Sequence, residues 1–300
     1  MEMSILEEKL QEMKQRKIFL NDTQNLATVI EQIRIENEKP YELPVDICES
    51  TGFEKKTLDE IDVYTRKGAQ FPLGKHIFYL HGGAYVSQPV NEHWLFLHDI
   101  AQKTGATITV PIYPKAPNYQ FQQSFDQVSA VFTELLGNTN PDEIVLMGDS
   151  AGGGFALALA QLFKEKGMAQ PGNIILLSPW LDVSMSNPDI AALEDVDPML
   201  GTNFLIAAAK AYAGETGLTD PLLSPIYGSV EGLGQITLFV GTHELFLPDC
   251  RKFKHMAEHQ GVKINYYEYP NMIHVFPVIP APLPEVEQAR REIMDIINSM

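Results

Sequence analysis

The stretch DEIVLMGDSAGGGFALALAQLF, residues 142–163, joins two hydrophobic periods at one point. Ile144 to Met147 is an unbroken apolar run of strand length, and Phe155 to Phe163 continues as an apolar helix. Between them Gly148, Asp149, Ser150, Ala151 and Gly152 spell G-x-S-x-G. On a sharp strand-to-helix turn, glycines at those two places remove Cβ atoms that would clash, and the serine Oγ is left exposed at the strand end. The bare pattern arises by chance in about one chain in ten of ordinary composition, so the strand before it and the helix after it carry the weight. The plainer alternative is a glycine-rich helix start packed closely on a neighbour.

On both sides of this stretch the alternation continues. Strands are predicted at His76 to Leu80, Thr107 to Tyr113, Glu143 to Met147, Asn173 to Leu177, Ile236 to Val240 and Ile264 to Tyr269, with edge strands at Ile47 to Phe53 and Ile61 to Thr65. Helices are predicted at Phe125 to Leu136, Ala151 to Lys166, Asp249 to Gln260 and Glu285 to Ser299. Strand–helix repeats of this kind build parallel βαβ units, and strands apolar on both faces lie between two helix layers. The predicted class is therefore α/β, a mostly parallel sheet flanked by helices. Residues 5 to 37 read as two helices outside that core, with Leu6, Leu10 and Met13 on one and Leu26, Val29, Ile30 and Ile33 on the other. One interval breaks the pattern: about sixty residues separate the strand near Ser178 from that near Ile236, far above a usual loop of about 4 to 6. It holds its own helix, Asn203 to Tyr212, and reads as a lid.

Ser150 alone is a poor nucleophile and needs a base, an acid to orient the base, and oxyanion donors. On an open α/β sheet those partners come from loops at the carboxyl ends of the strands, in chain order Ser, Asp or Glu, His. Glu244, in TLFVGTHELF, and His274, in YYEYPNMIHVF, each follow a predicted strand. Asp249 is the fallback acid and a candidate helix cap, and Glu244 read alone could be a solvated loop acid. After the strand HIFYL, the run His81, Gly82, Gly83, Ala84 brings backbone N–H groups close to a substrate oxygen, with the N–H of Ala151 as a further donor. His81-Gly82-Gly83 alone would also fit a tight turn. His81 is expected to hold this loop by a hydrogen bond.

His255, Glu258 and His259 form H-x-x-E-H, a zinc-protease spacing. A further carboxylate ligand should come from a helix well downstream, where only the short C-terminal helix remains, so no metal is expected. The remaining histidines, His76, His93, His98 and His243, carry no spacing signal. Two cysteines, Cys48 and Cys250, cannot build a disulfide framework, and the charged start MEMSILEEKLQEMKQRK lacks the apolar run of a signal peptide. A cytosolic protein is expected. The formal charge of -17, from 39 acidic against 22 basic side chains, speaks against nucleic-acid and anionic-membrane partners.

These motifs together match a family. YLHGGAYV, PIYPKAPNYQF, GDSAGGGFALALA, LLSPWLDVS, DPLLSPIYG, VGTHELFLPD and MIHVF resemble the hormone-sensitive-lipase-like group of α/β hydrolases, specifically bacterial carboxylesterases, over most of residues 70 to 280. The resemblance implies an α/β-hydrolase fold, nucleophile Ser150, acid Glu244, base His274 and oxyanion donors Gly82, Gly83 and Ala151. It implies a cap from residues 1–45 and an insertion at 183–220, on a core of 46–182 and 221–300. It also implies short acyl chains and a homodimer through the last strand and C-terminal helix. Ala84 stands where glycine is common in the group, and Glu244 where aspartate is usual.

The expected activity is hydrolysis of small neutral carboxylic esters through an acyl-enzyme, with no cofactor. Tyr85, Trp180, Phe204 and Leu205 are expected by position as pocket walls. Glu194, Asp195 and Asp197 are expected to give the lid an acidic face that disfavours anionic substrates. An amidase or deacetylase would use the same groups, and a non-catalytic binding protein could share the fold.

Overall fold

Strand length and apolar content put the sheet at the centre. In the computed structural model, which describes residues 5–58, 60–69 and 74–300 with side chains from residue 7 onward, the chain opens with α1 (Ile5–Asn21), α2 (Leu26–Glu36) and α3 (Val45–Thr51). The side chain of Leu6 lies outside the described residues. There follow β1 (Glu54–Leu58), β2 (Ile61–Arg66), β3 (His76–Leu80), α4 (Asn91–Thr104), β4 (Thr107–Pro111), α5 (Phe121–Leu136), β5 (Ile144–Asp149) and α6 (Ala151–Glu165). The last third comprises β6 (Asn173–Leu177), α7 (Thr202–Ala213), β7 (Gln235–His243), α8 (Leu247–His259), β8 (Asn265–Ile273) and α9 (Pro284–Asn298).

The strands form one sheet of eight in the order β1-β2-β4-β3-β5-β6-β7-β8. The first two pairings are antiparallel, β1 with β2 and β2 with β4, and all the others are parallel. Strand alternation divides the side chains between two cores: Phe78, Leu80, Leu146 and Leu238 face α5, α6 and α8, while Ile77, Tyr79, Val145 and Phe239 face α3, α4 and α9. Each such buried side chain contributes about 1.5–3 kcal/mol. From β3 the chain steps one way to β4 and then returns to β5 on the other side. A reversal of this kind opens a crevice beyond the carboxyl ends of the two flanking strands, here β3 and β5. His81–Ala84 and Ser150 both sit there.

The predicted edge strand at Ile47 to Phe53 is corrected: residues 45–51 are helix α3. Pro44 stands at its N-cap, Ile47 and Thr51 are buried one turn apart, and Gly52 ends it in the left-handed region at φ 73°. The edge strand is instead β1, the lysine-rich run Glu54–Leu58, whose first four residues are exposed. Helix α4 is an addition to the elements read from periodicity; it buries Trp94, Leu97, Ile100 and Ala101 and stops at Gly105, φ 70°.

The interval between β6 and β7 carries a 3-10 turn, Pro188–Leu193, and α7, whose Leu205, Ala208, Ala209 and Tyr212 join the core on the α6 side. Helix α1 is fastened to this interval. The Lys17 ammonium donates to the carbonyl oxygens of Glu194 and Asp197. Asn21 Oδ1 accepts from the N–H groups of Asn203 (2.8 Å) and Phe204 (3.2 Å). Gly201, at the N-cap of α7, has no side chain to satisfy those orphan donors, so Asn21, 182 positions before Asn203, does it. At the other end of the helix pair, Asn37 Nδ2 donates to Val86 O (2.8 Å) and Ala116 O (3.2 Å).

Candidate active site

Ser150 occupies the turn between β5 and α6 at φ 53°, ψ -123°. A non-glycine residue held there stores about 1–3 kcal/mol of strain, sustained by its surroundings. Those surroundings are tight. A Cβ on Gly152 would lie 2.0 Å from Leu80 O, and one on Gly148 would lie 2.3 Å from Gly152 O, so both glycines of the motif are required by close approach. Ser150 N donates to Leu177 O at 2.9 Å and Ser150 O accepts from Trp180 N at 2.9 Å, which ties the turn to β6 and the loop behind it.

Strand β7 runs three residues further than periodicity predicts, and β8 four, so Glu244 and His274 emerge directly from strand ends. Glu244 Oε2 lies 2.7 Å from His274 Nδ1, and His274 Nε2 lies 2.9 Å from Ser150 Oγ. A carboxylate only accepts, so Nδ1 carries the ring proton and Nε2 is free to accept from the serine hydroxyl. The other carboxylate oxygen, Oε1, accepts from Gly241 N (2.6 Å) and Ser178 Oγ (2.8 Å). Ser178 Oγ in turn accepts from Val275 N at 3.0 Å. One hydroxyl thus ties the acid to the histidine loop. Burial alone would push the His274 pKa down; the Glu244 hydrogen bond and the charges of Glu244, Asp197 and Asp149 outweigh it and hold it above its ordinary value. Phe246 stands edge-on to the imidazole, ring centroids 5.0 Å apart.

The loop after β3 corrects one expectation. The N–H of Gly82 is committed to Asp149 Oδ1 at 2.8 Å, so it anchors the loop and is not a free oxyanion donor. Asp149 also accepts from Tyr79 OH at 2.6 Å and pairs with His93 Nε2 at 3.3 Å. Desolvation works against its charge, but His93, Tyr79 and Gly82 prevail and lower its pKa. The N–H groups of Gly83, Ala84 and Ala151 have no acceptor among the described residues. Gly83 adopts φ 122°, a conformation that glycine reaches without penalty. His81 donates from Nδ1 to Gly82 O at 2.6 Å and stacks on Tyr113 at 4.5 Å. Its burial drives the pKa well down, so it is a neutral structural group.

A profile for the alpha/beta hydrolase fold matches residues 77–278. The chain belongs to that family. Among relatives, an esterase of Acinetobacter venetianus is 30% identical over 234 residues, covering 77% of this α/β hydrolase and 77% of its own length. The crystal structure of a Staphylococcus aureus protein provisionally described as an esterase superposes with TM-score 0.87 at 32% identity, covering 95% of each chain. EstE7, a hormone-sensitive-lipase homologue from a metagenome library, matches at TM-score 0.80 and 26% identity over 100% of this chain and 99% of its own. The hydrolase therefore falls in the hormone-sensitive-lipase-like branch.

Other expected site residues of this α/β hydrolase divide by exposure. Tyr85, Trp180 and Leu205 are at most 1% exposed. With so little surface left, these three offer a bound molecule almost no open face. Tyr85 is stacked between Tyr212 (4.1 Å) and Trp180 (5.8 Å), and Trp180 is stacked on Phe246 (5.7 Å). Phe204 is half-buried. Asp249 is no N-cap: it lies in the first turn of α8, accepts from Asn187 Nδ2 at 2.8 Å, and burial pushes its pKa up to about 6. His255 is exposed on α8 and pairs with Glu258 at 3.5 Å. Asp197, expected on an acidic lid face, is buried, and Glu194 is half-buried and bonded to Thr202 and Asn21; of the three, Asp195 is exposed. Sequence reasoning missed Asp149, His93, Ser178 and Asp197. Asp149 and Ser178 sit within motifs already singled out, whereas His93 and Asp197 carry no local signal.

Proposed function

We propose that this chain is a serine carboxylesterase that hydrolyses small, neutral, short-chain esters through an acyl-enzyme on Ser150. The observation that carries the reading is the unbroken line Ser150 Oγ–His274 Nε2, His274 Nδ1–Glu244 Oε2, at 2.9 and 2.7 Å. His274 takes the hydroxyl proton as Oγ bonds to the acyl carbon, and Glu244 holds the ring and stabilises its charged form. The carbonyl oxygen becomes an oxyanion held by the N–H groups of Gly83 and Ala151, with Ala84 adjacent. The C–O bond to the alcohol then breaks and His274 returns the proton to the leaving oxygen. Water repeats the sequence on the acyl-enzyme and frees the acid.

Residues 1–45 and 183–220 serve as a cap over residues 46–182 and 221–300; the Lys17 and Asn21 links support that division. Phe204 is the pocket wall that exposure favours. The unpaired outer edge of β8, beside α9, supports a homodimer. Free Cys48 and Cys250 fit a reducing cytosol. No helix among the described residues is long and apolar enough to cross a membrane.

Replacing Ser150 by Ala is expected to lower kcat on p-nitrophenyl butyrate by about a million-fold. Retention of most turnover would sink the assignment. Stoichiometric labelling by a fluorophosphonate separates this reading from a binding protein of the same fold. A series of acetyl, butyryl and octanoyl esters beside matched anilides separates it from an amidase or deacetylase.

A further inference from the structure

We infer that Asp197, carried by the interval between β6 and β7, is a positioning residue for the Glu244–His274 pair and couples the seating of that interval to catalysis. The inference deepens the proposed esterase reading and rests on it for its catalytic meaning.

The carboxylate of Asp197 is 1% exposed and receives three backbone donors. Met199 N (2.7 Å) and Leu200 N (2.9 Å) bind Oδ1 and set its orientation from within its own segment. Leu245 N, the amide directly after Glu244, donates to Oδ2 at 2.8 Å. A hydrogen bond at that amide fixes the peptide from which the Glu244 side chain projects. Charge-assisted bonds of this kind are about twice as strong as neutral ones. The acid loop is therefore held from two sides: Ser178 and Gly241 grip the Glu244 carboxylate, and Asp197 grips the backbone beside it.

The same carboxylate acts on His274 through space. Three negative groups face the imidazole: Glu244 by direct hydrogen bond, then Asp197 and Asp149 by charge, all favouring the protonated ring. Asp197 faces His274 in return, while Lys17 donates to its main-chain oxygen and Glu194 lies three residues before it. Desolvation raises the Asp197 pKa, and the imidazole and the three amides oppose it. Removing the negative charge at 197 lowers the His274 pKa. Because the neutral ring is the base, the acid limb of kcat/KM then moves to lower pH.

The test uses the full chain with Asp197→Asn, Asp197→Glu and Lys17→Met beside the parent. His274 titration is followed by ring NMR, and kcat and KM for p-nitrophenyl butyrate are followed against pH. Asp197→Asn is expected to lower the imidazole pKa and the acid limb together, because a nearby charge that favours the protonated ring is lost. Its kcat on the plateau should fall about tenfold, with KM within twofold. Asp197→Glu keeps the charge and leaves the limb in place while lowering kcat. Lys17→Met, a change at the protein's periphery, keeps the inference open to refutation if Asp197→Asn fails to fold: loss of the cation by charge alone moves the limb to higher pH, so a shift to lower pH reports that Asp197 has moved away from His274. An unchanged imidazole titration in both the Asn and Met variants, with turnover intact, overturns the role of Asp197 alone. A parent chain without turnover overturns the esterase reading instead, and the NMR titration distinguishes the two failures.

Discussion

At the scale of single residues, the site holds its charges by surrounding them with specific partners. His274 is buried yet biased toward protonation, so catalysis should require a pH above its raised pKa. The expected kcat/KM profile is a single acid limb with its midpoint above 6.5, activity rising as the ring loses its proton. Replacing Glu244 by Gln removes the charge and disturbs the tautomer; kcat should drop on the order of ten-thousand-fold and the limb should move down. An acid limb unmoved by that change would mean that another group titrates. Asp149 makes a second buried network. Its lowered pKa contributes stability that is present above the unfolded value of about 3.9 and lost as pH falls through the folded one, while the raised His93 contributes below about 6.5 and loses it as pH rises. Asp149→Ala strands Tyr79, Gly82 and His93 together and should cost about 3–5 kcal/mol in urea unfolding. The cost should be largest between those two pH values. A loss under about 1 kcal/mol would show that the network is replaceable by water.

At the scale of elements, what could be read in advance follows from how local the cause is. Strands β3 to β7 announce themselves because burial on both faces demands continuous apolar runs, and the serine turn because its glycines are forced by contacts within a few residues. Glu244 and His274 are legible for the same reason: each follows its strand directly. Helix α3 is misread because its boundaries are set by Pro44 and the left-handed Gly52, while its few apolar residues fit either period. The commitment of Gly82 N–H to Asp149 is tertiary, 67 residues apart in sequence, and no spacing encodes it. The attachment of α1 to α7 is the same kind of fact. Asn21 supplies the cap that Gly201 cannot, and a Cβ on Gly201 would sit 2.3 Å from the Asn21 side chain. Asn21→Ala should therefore cost about 1 kcal/mol, the usual worth of a helix cap, and Gly201→Ala should do comparable damage by displacing the same side chain. If the two losses add in the double variant, measured by thermal unfolding, they act separately and the long-range cap is wrong; a shared cause makes the second change nearly free.

At the scale of the whole molecule, the net charge of -17 acts at a distance that no single lid residue does. Glu194, Asp195 and Asp197 together suggest a local acidic gate, but Asp197 is buried against the acid loop and Glu194 is occupied by Lys17, Thr202 and Asn21. Discrimination against anionic esters, where it exists, must then come chiefly from the summed field. A summed field and a local contact respond differently to salt. Between about 10 mM and 1 M salt the screening length falls from about 30 to about 3 Å, which erases long-range repulsion and leaves a buried or touching pair nearly intact. A hemisuccinate ester and its neutral butyrate analogue should therefore differ several-fold in kcat/KM at low salt, and that ratio should shrink toward its chemical baseline as salt rises. Ser150→Ala supplies the background for both substrates. A ratio that stays constant across the salt range would return the discrimination to contacts at the pocket, with Asp195 the first residue to replace.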